Sequence, residues 1–246
     1  MTLDERRREA VATCEVVEDA IVMLQSDRQT FSRFRDGIRK SVAVQRTHFP
    51  PAVARWYSQS VLVGLRRLGD RNPKSHSLRQ LFDRMIAHPA DWDFAAVVTL
   101  WNQTTHPYDA SMLEALARAT YGWIADASGR ALNVAKVEAD RDALETMLEK
   151  VRKVVNRTIA HADRSAGPGD TMTWAELDAA IFDCEDLAKR YIALLTGHGY
   201  STNRGSMTPI EQTAWYRIFE PWARLDPQSF RLPGEPDWRP EDVDGT

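Results

Sequence analysis

Between Leu132 and Ile159 the apolar residues Leu132, Val137, Leu144, Met147, Leu148, Val151, Val155 and Ile159 recur mostly three, four or seven positions apart. That is the spacing of one face of an α-helix. Ser128 stands where an N-cap belongs, and Ala166-Gly167-Pro168-Gly169-Asp170 supplies a break, so the pattern predicts the longest helix of the chain over about 129–163. An apolar stripe of that length needs partners to cover it. The chain shows no internal repeat and no convincing period-two alternation for strands, so the partners are expected to be helices.

The rest of the chain supplies them. Val11, Cys14, Val17, Ile21 and Leu24 predict a helix over 3–25, and a second helical stretch follows over about 29–44. Phe49-Pro50-Pro51 stops one segment and opens the next, because proline fits the first turn of a helix but not its interior. The helix over 52–68 is expected to turn Val53, Trp56, Tyr57, Ser60, Val61, Gly64 and Leu65 inward. After the turn Gly69-Asp70-Arg71-Asn72-Pro73, Ser75 or Ser77 caps a helix carrying Leu78, Leu81, Phe82 and Ile86, which Pro89 ends. Phe94 to Trp101 reads as a short helix, His106-Pro107 as a loop, and 111–125 as another helix. Thr173-x-x-Glu176 has the form of a capping box and opens a helix through Tyr191 to Leu195, which Gly197 ends. Thr208-Pro209-x-Glu211 opens a last one with Trp215, Phe219 and Trp222.

With 246 residues and 43% hydrophobic content, the chain can bury a real core. One domain over 1–225 is expected, followed by an acidic, proline-rich tail over 226–246 that is extended or partly disordered. Cys14 and Cys184 stand far apart and suggest buried thiols in a reducing cytoplasm, not a disulfide or a zinc site. The charged N-terminus has no apolar run behind it, and the longest such run is Phe94 to Trp101, so neither a signal peptide nor a membrane span fits. The expected location is cytoplasmic.

The net charge of −3 hides an asymmetry: from Arg28 to Arg84 there are 13 Lys or Arg against 3 acidic residues, an excess of +10 that the remainder balances with −13. Such a distribution suits a polyanionic partner. It equally suits arginines neutralised by acidic helices within the fold or across a dimer.

Several chemistries drop out. The chain has no G-x-G-x-x-G, no Walker loop and no G-x-S-x-G elbow, and no two of its six histidines lie three or four residues apart. No cofactor and no metal site are expected. What remains is Asn156-Arg157-Thr158-Ile159-Ala160-His161-Ala162-Asp163. On an α-helix Arg157, His161 and Arg164 share a polar stripe while Val155 and Ile159 turn inward. A histidine among guanidinium groups can move the proton of a ribose 2′-hydroxyl or of a leaving oxygen, and an arginine can stabilise phosphate charge. The plainer reading is a histidine favoured by a helix C-terminus and bonded to Asp163 or a terminal carbonyl.

This segment resembles the signature motif of the HEPN superfamily. Ala54-Arg-Trp-Tyr-Ser-Gln-Ser60, Arg66-Arg67-Leu68-Gly69-Asp70 and Ser75-His76-Ser77-Leu78-Arg79-Gln80-Leu81 look like its abortive-infection, AbiU-like branch, and together the similarity covers about 30–197. It implies an all-α fold, an up-and-down four-helix bundle with additional N- and C-terminal helices, often a homodimer with paired motifs lining one cleft. It also implies a metal-independent ribonuclease of a toxin or phage-defence system. His161 is then the acid or base, Arg157 the phosphate contact and Asn156 a polar support, with Arg66, Arg67, Asp70 and Arg164 as binding residues.

One departure bears on this. Family members place an arginine with four to six residues before the histidine, positions held here by Val154, Val155 and Asn156, whereas Arg157 has three between. Either Arg157 acts from a shifted place, or Arg66, Arg67 or Arg152 substitutes, or catalysis is lost. Arg152 ranks last, because nine residues from His161 is the opposite face of an α-helix. Arg67 or Arg71 with Asp70 can also be a local ion pair. The alternatives to a nuclease are a non-catalytic module binding RNA, a nucleotide or a protein, and a structural dimer or antitoxin-like partner. The tryptophans are read as packing.

Overall fold

The computed structural model describes residues 2–39, 42–103, 108–160 and 172–198. The helices are α1 Leu3–Arg39, α2 Val42–Gln45, α3 Phe49–Leu68, α4 Leu78–Ala87, α5 Phe94–Asn102, α6 Ala110–Tyr121, α7 Val134–Val154 and α8 Trp174–Thr196. A 3₁₀ turn at Pro89–Trp92 precedes α5, and a π-helical turn at Val155–Ala160 continues α7. The fold is all-α, as expected, and among the described residues no helix is long and apolar enough to cross a membrane. The helix expected from Thr208, Arg164, His161 and the tail lie outside the described residues.

The chain divides into two compact units, Met1–Gln25 with Gln59–Arg204, and Ser26–Ser58 with Gly205–Thr246. In the first, α7 lies between α4 and α8. It runs antiparallel to both: Arg79 meets Glu145 while Asp83 meets Arg141, and Asp140 accepts from the Tyr191 hydroxyl while Lys150 meets Glu176. Leu81, Phe82 and Met85 of α4, Leu144, Leu148 and Val151 of α7, and Ile181, Leu187 and Tyr191 of α8 are buried. Each such side chain contributes roughly 1.5–3 kcal/mol by leaving water. Cys14 and Cys184 are free and buried in this core, which pushes both thiols up to about 12. In the second unit Phe31 stacks on Tyr57 with centroids 4.2 Å apart, and Phe34 meets Phe49 edge-on.

The local signals explain where helices start and stop. Pro50 and Pro51 sit in the first turn of α3, where their missing N–H groups cost nothing. Of the two candidate serines, Ser77 caps α4, its hydroxyl accepting from the Gln80 N–H. Thr173 and Glu176 form the expected capping box, and Gly197 ends α8 at φ 68°.

Several differences are informative. Residues expected as two helices over 3–25 and 29–44 run as one through Arg39, because Ser26 and Asp27 are poor helix residues but not breakers. Trp56 and Ser60, expected inside α3, are exposed, Trp56 at 63%, so the buried face is Tyr57, Val61, Leu62, Leu65 and Leu68. Trp92 and Trp101 do pack in the core, whereas Trp174, like Trp56, does not.

The helix expected as the longest, over 129–163, begins at Val134 and spans 21 residues as α7 against the 37 of α1, and α6 ends at Tyr121, short of 125. Between them Ala125 and Leu132 form an antiparallel bridge. Its turn is organised by Asp126, whose Oδ1 accepts from the Ser128 N–H and hydroxyl, and Gly129 takes φ 69°. Ser128 therefore serves a turn, not a cap.

Candidate functional site

The end of α3 and the end of α7 make the site. Arg66 and Arg67 lie in the last turn of α3, followed by a tight polar turn. The Asp70 carboxylate accepts from the Asn72 N–H at 3.0 Å and the Asn72 side chain from the Lys74 N–H at 3.0 Å. The Ser77 hydroxyl donates to the Asp70 carbonyl at 2.8 Å, and the Gln80 amide to the Arg71 carbonyl at 3.0 Å. Gly69 lets this turn press against α7: a Cβ there would fall 2.6 Å from Leu148 Cδ1, and Leu148 is fully buried.

Facing it, the last α turn of α7 carries Arg152 and Lys153, and the π turn carries Asn156 and Arg157, both exposed, while Val155 is buried. A π turn hydrogen-bonds to the fifth residue back, one residue wider than an α turn, and such turns recur at functional sites. Two consequences follow. The i, i+4 stripe expected from Arg157 assumed α geometry, and the turn that carries Arg157 is not α-helical. Nine residues put Arg152 opposite His161 only on an unbroken α-helix, and the π turn at Val155–Ala160 interrupts it.

Val63, Arg66, Arg67, Asp70, Arg71, Arg152, Gly69 and Val155 line a single cleft of about 480 Å³. Of the sequence-derived residues, Arg66, Arg67 and Asp70 are brought together here. Asn156 and Arg157 follow directly from the cleft wall at Val155, and His161 and Arg164 are outside the described residues. The expected Arg–Asp70 ion pair is not formed among the described residues; Arg71 turns instead to Glu145, at 2.6 Å.

Glu145 is the residue sequence reasoning missed. Its carboxylate accepts from Arg71 through both Nε and Nη2 at 3.2 and 2.6 Å, from Arg79 Nη1 at 2.5 Å, and from Arg152 Nη1. Arg152 Nη2 also donates to the Glu145 carbonyl at 2.9 Å. Burial pushes this carboxyl up, but the hydrogen bonds from Arg71 and Arg152 outweigh it and hold the group at about 2. The only sequence signal was the seven-residue step from Glu145 to Arg152, which puts both on one helix face; the contacts to Arg71 and Arg79 cross between helices.

Among the described residues the regular elements are helices, with one isolated bridge, which fits the all-helical HEPN class. Within that class, residues 12–209 match the family model described as AbiU2, and the chain belongs to that family. It is an HEPN protein of the abortive-infection type. No curated protein and no solved structure matches the chain.

Proposed function

We propose that this HEPN protein is a metal-independent endoribonuclease of phage defence or a toxin system, acting in the cytoplasm as a homodimer. His161 takes the proton of a ribose 2′-hydroxyl or delivers one to the leaving oxygen. The 2′-oxygen bonds to the adjacent phosphorus, the bond to the 5′-oxygen breaks, and that oxygen leaves protonated, giving a 2′,3′-cyclic phosphate and a 5′-hydroxyl. Arg157 stabilises charge on the phosphoryl oxygens, Asn156 supports it, and Arg66, Arg67 and Arg164 hold the strand, with Asp70 fixing the turn that follows the pair. The observation that carries this reading is the single cleft in which Arg66, Arg67 and Asp70 meet Arg152 at the root of the motif turn.

The displaced motif arginine favours a second reading, an HEPN module that binds RNA or a protein partner without cutting. Cleavage of total cellular RNA in chelator-containing buffer separates the two. Wild type is compared with His161→Ala and Arg157→Ala after all three are shown to be folded. Products lost in His161→Ala support the nuclease, and the Arg157→Ala lane reports whether the shifted arginine takes part. Intact RNA in every lane, with salt-dependent binding, supports the second reading.

A further inference from the structure

We propose that Arg71 and Arg152 form a phosphate subsite of their own in the cleft, beside the Arg66–Arg67 pair, and that Glu145 is the positioning residue that aims them. This rests on the RNA-directed reading above and adds where the strand's backbone is held.

The donor count supports it. A guanidinium offers five N–H groups. Arg71 uses two on Glu145, one from Nε and one from Nη2, and Arg152 uses one from Nη1 and one from Nη2. Three remain on each, and both residues line the cleft. Arg152 is largely enclosed, with its side chain 24% exposed, while Arg71 is 66% exposed at the rim.

The charge count agrees. Glu145 serves three guanidiniums, and Arg79 is shared with Asp83 at 2.9 Å; one carboxylate therefore fixes Arg71 and Arg152 without cancelling both. Arg66 and Arg67 add two more charges to the same cleft and make no ion pair among the described residues. Asp70, the cleft's own acid, accepts from a backbone N–H. A planar guanidinium pre-aimed by a carboxylate loses little freedom when it takes a phosphate oxygen. Successive phosphates of one strand can then contact the two arginine pairs.

The test uses the full chain and a fluorescein-labelled 2′-O-methyl oligouridylate, which has no free 2′-hydroxyl to attack, with binding followed by anisotropy across a salt series. For a single strand the slope of log affinity against log salt falls by about 0.7 for each phosphate contact removed. The double variant Arg71→Ala/Arg152→Ala is expected to bind several-fold more weakly and with a shallower slope, as is Arg66→Ala/Arg67→Ala. Glu145→Gln breaks the two-oxygen grip on Arg71 while adding one net positive charge. A positioning role predicts weaker binding and a shallower slope from it; a role for charge alone predicts tighter binding and would overturn the assignment to Glu145. Thermal melts confirm that each variant is folded. If wild type and Arg66→Ala/Arg67→Ala differ while Arg71→Ala/Arg152→Ala binds as wild type does, the subsite is wrong and the RNA reading stands. If wild type does not bind, both fall together.

Discussion

Two groups of arginines tie helices together in the unit built from residues 1–25 and 59–204, and their charges are settled differently. Near the start of α1, Arg6 meets Asp91 at 2.5 Å and Arg84 meets Glu9 at 2.7 Å, one carboxylate for each guanidinium. Arg84 also donates to the buried Thr13 hydroxyl, which lies 3.0 Å from the His76 ring. At the other group Arg71, Arg79 and Arg152 share Glu145, and Arg66 and Arg67 stand beside them in the cleft. In the first arrangement each of these two guanidiniums is matched by a carboxylate, and the pairs brace α1 against α4 and the 3₁₀ turn that follows it. The second fixes its arginines and leaves positive charge facing solvent, which is what an anion-binding surface requires. The basic excess seen in the sequence is therefore partly neutralised between helices and partly gathered along a cleft.

The contrast breaks most readily at Asp91. The hydrogen bond from Arg6 holds its carboxyl below the usual carboxylate range despite burial, and Asp91→Ala is expected to cost about 2–3 kcal/mol, as for hydrogen bonds to charged groups. Urea unfolding measures this, and the salt slope of RNA binding should not move. A loss below about 0.5 kcal/mol, the scale of ordinary surface changes, would mean that the pair braces nothing.

A smaller effect is expected at Glu145. Its carboxyl is held at about 2 against an ordinary 4.5, so the folded state binds the proton less tightly than the unfolded chain. Its contribution is then complete above about pH 4.5 and is lost as pH falls towards 2. Glu145→Gln, whose amide oxygen still accepts from one guanidinium, should lower stability near neutrality by about 1–2 kcal/mol, less than the full linkage of the carboxylate, and the gap to wild type should narrow across that acid window. A gap that stays constant down to pH 2 would show that the charge of Glu145 is not what stabilises.

The smallest change in stability is expected from Arg66→Ala/Arg67→Ala. With both side chains exposed and unpaired among the described residues, unfolding should shift by no more than about 0.5 kcal/mol while RNA affinity drops. A large loss of stability would place this pair with the bracing group.

The helices were legible because their signals are local. The apolar faces of α1, α4, α7 and α8, the prolines opening α3, the Thr173–Glu176 capping box and Gly197 all act within one or two turns, and backbone geometry reads them directly. Errors arose where a local signal had two uses. Ser128 is as good a turn residue as a cap, and Asp126 with Gly129 decided between them. Trp56 fits a helix face by spacing, yet exposure depends on what lies opposite.

The sequence by itself determined an all-helical chain, its main caps and breaks and its excess of arginine before residue 85, since composition and periodicity carry these, while the segment around Asn156 and Arg157 stood out through its resemblance to the HEPN motif. Tertiary structure alone decided which arginines are neutralised and which line a cleft. A guanidinium's partner is set by the approach of another helix, as Gly69 against Leu148 brings α3 to α7, and Glu145 reaches Arg71 and Arg79 across 74 and 66 residues of chain. The π turn belongs to the same class of outcome: the α period expected through Ile159 gives way at Val155, and only the folded backbone shows which side chains the wider turn brings to one face.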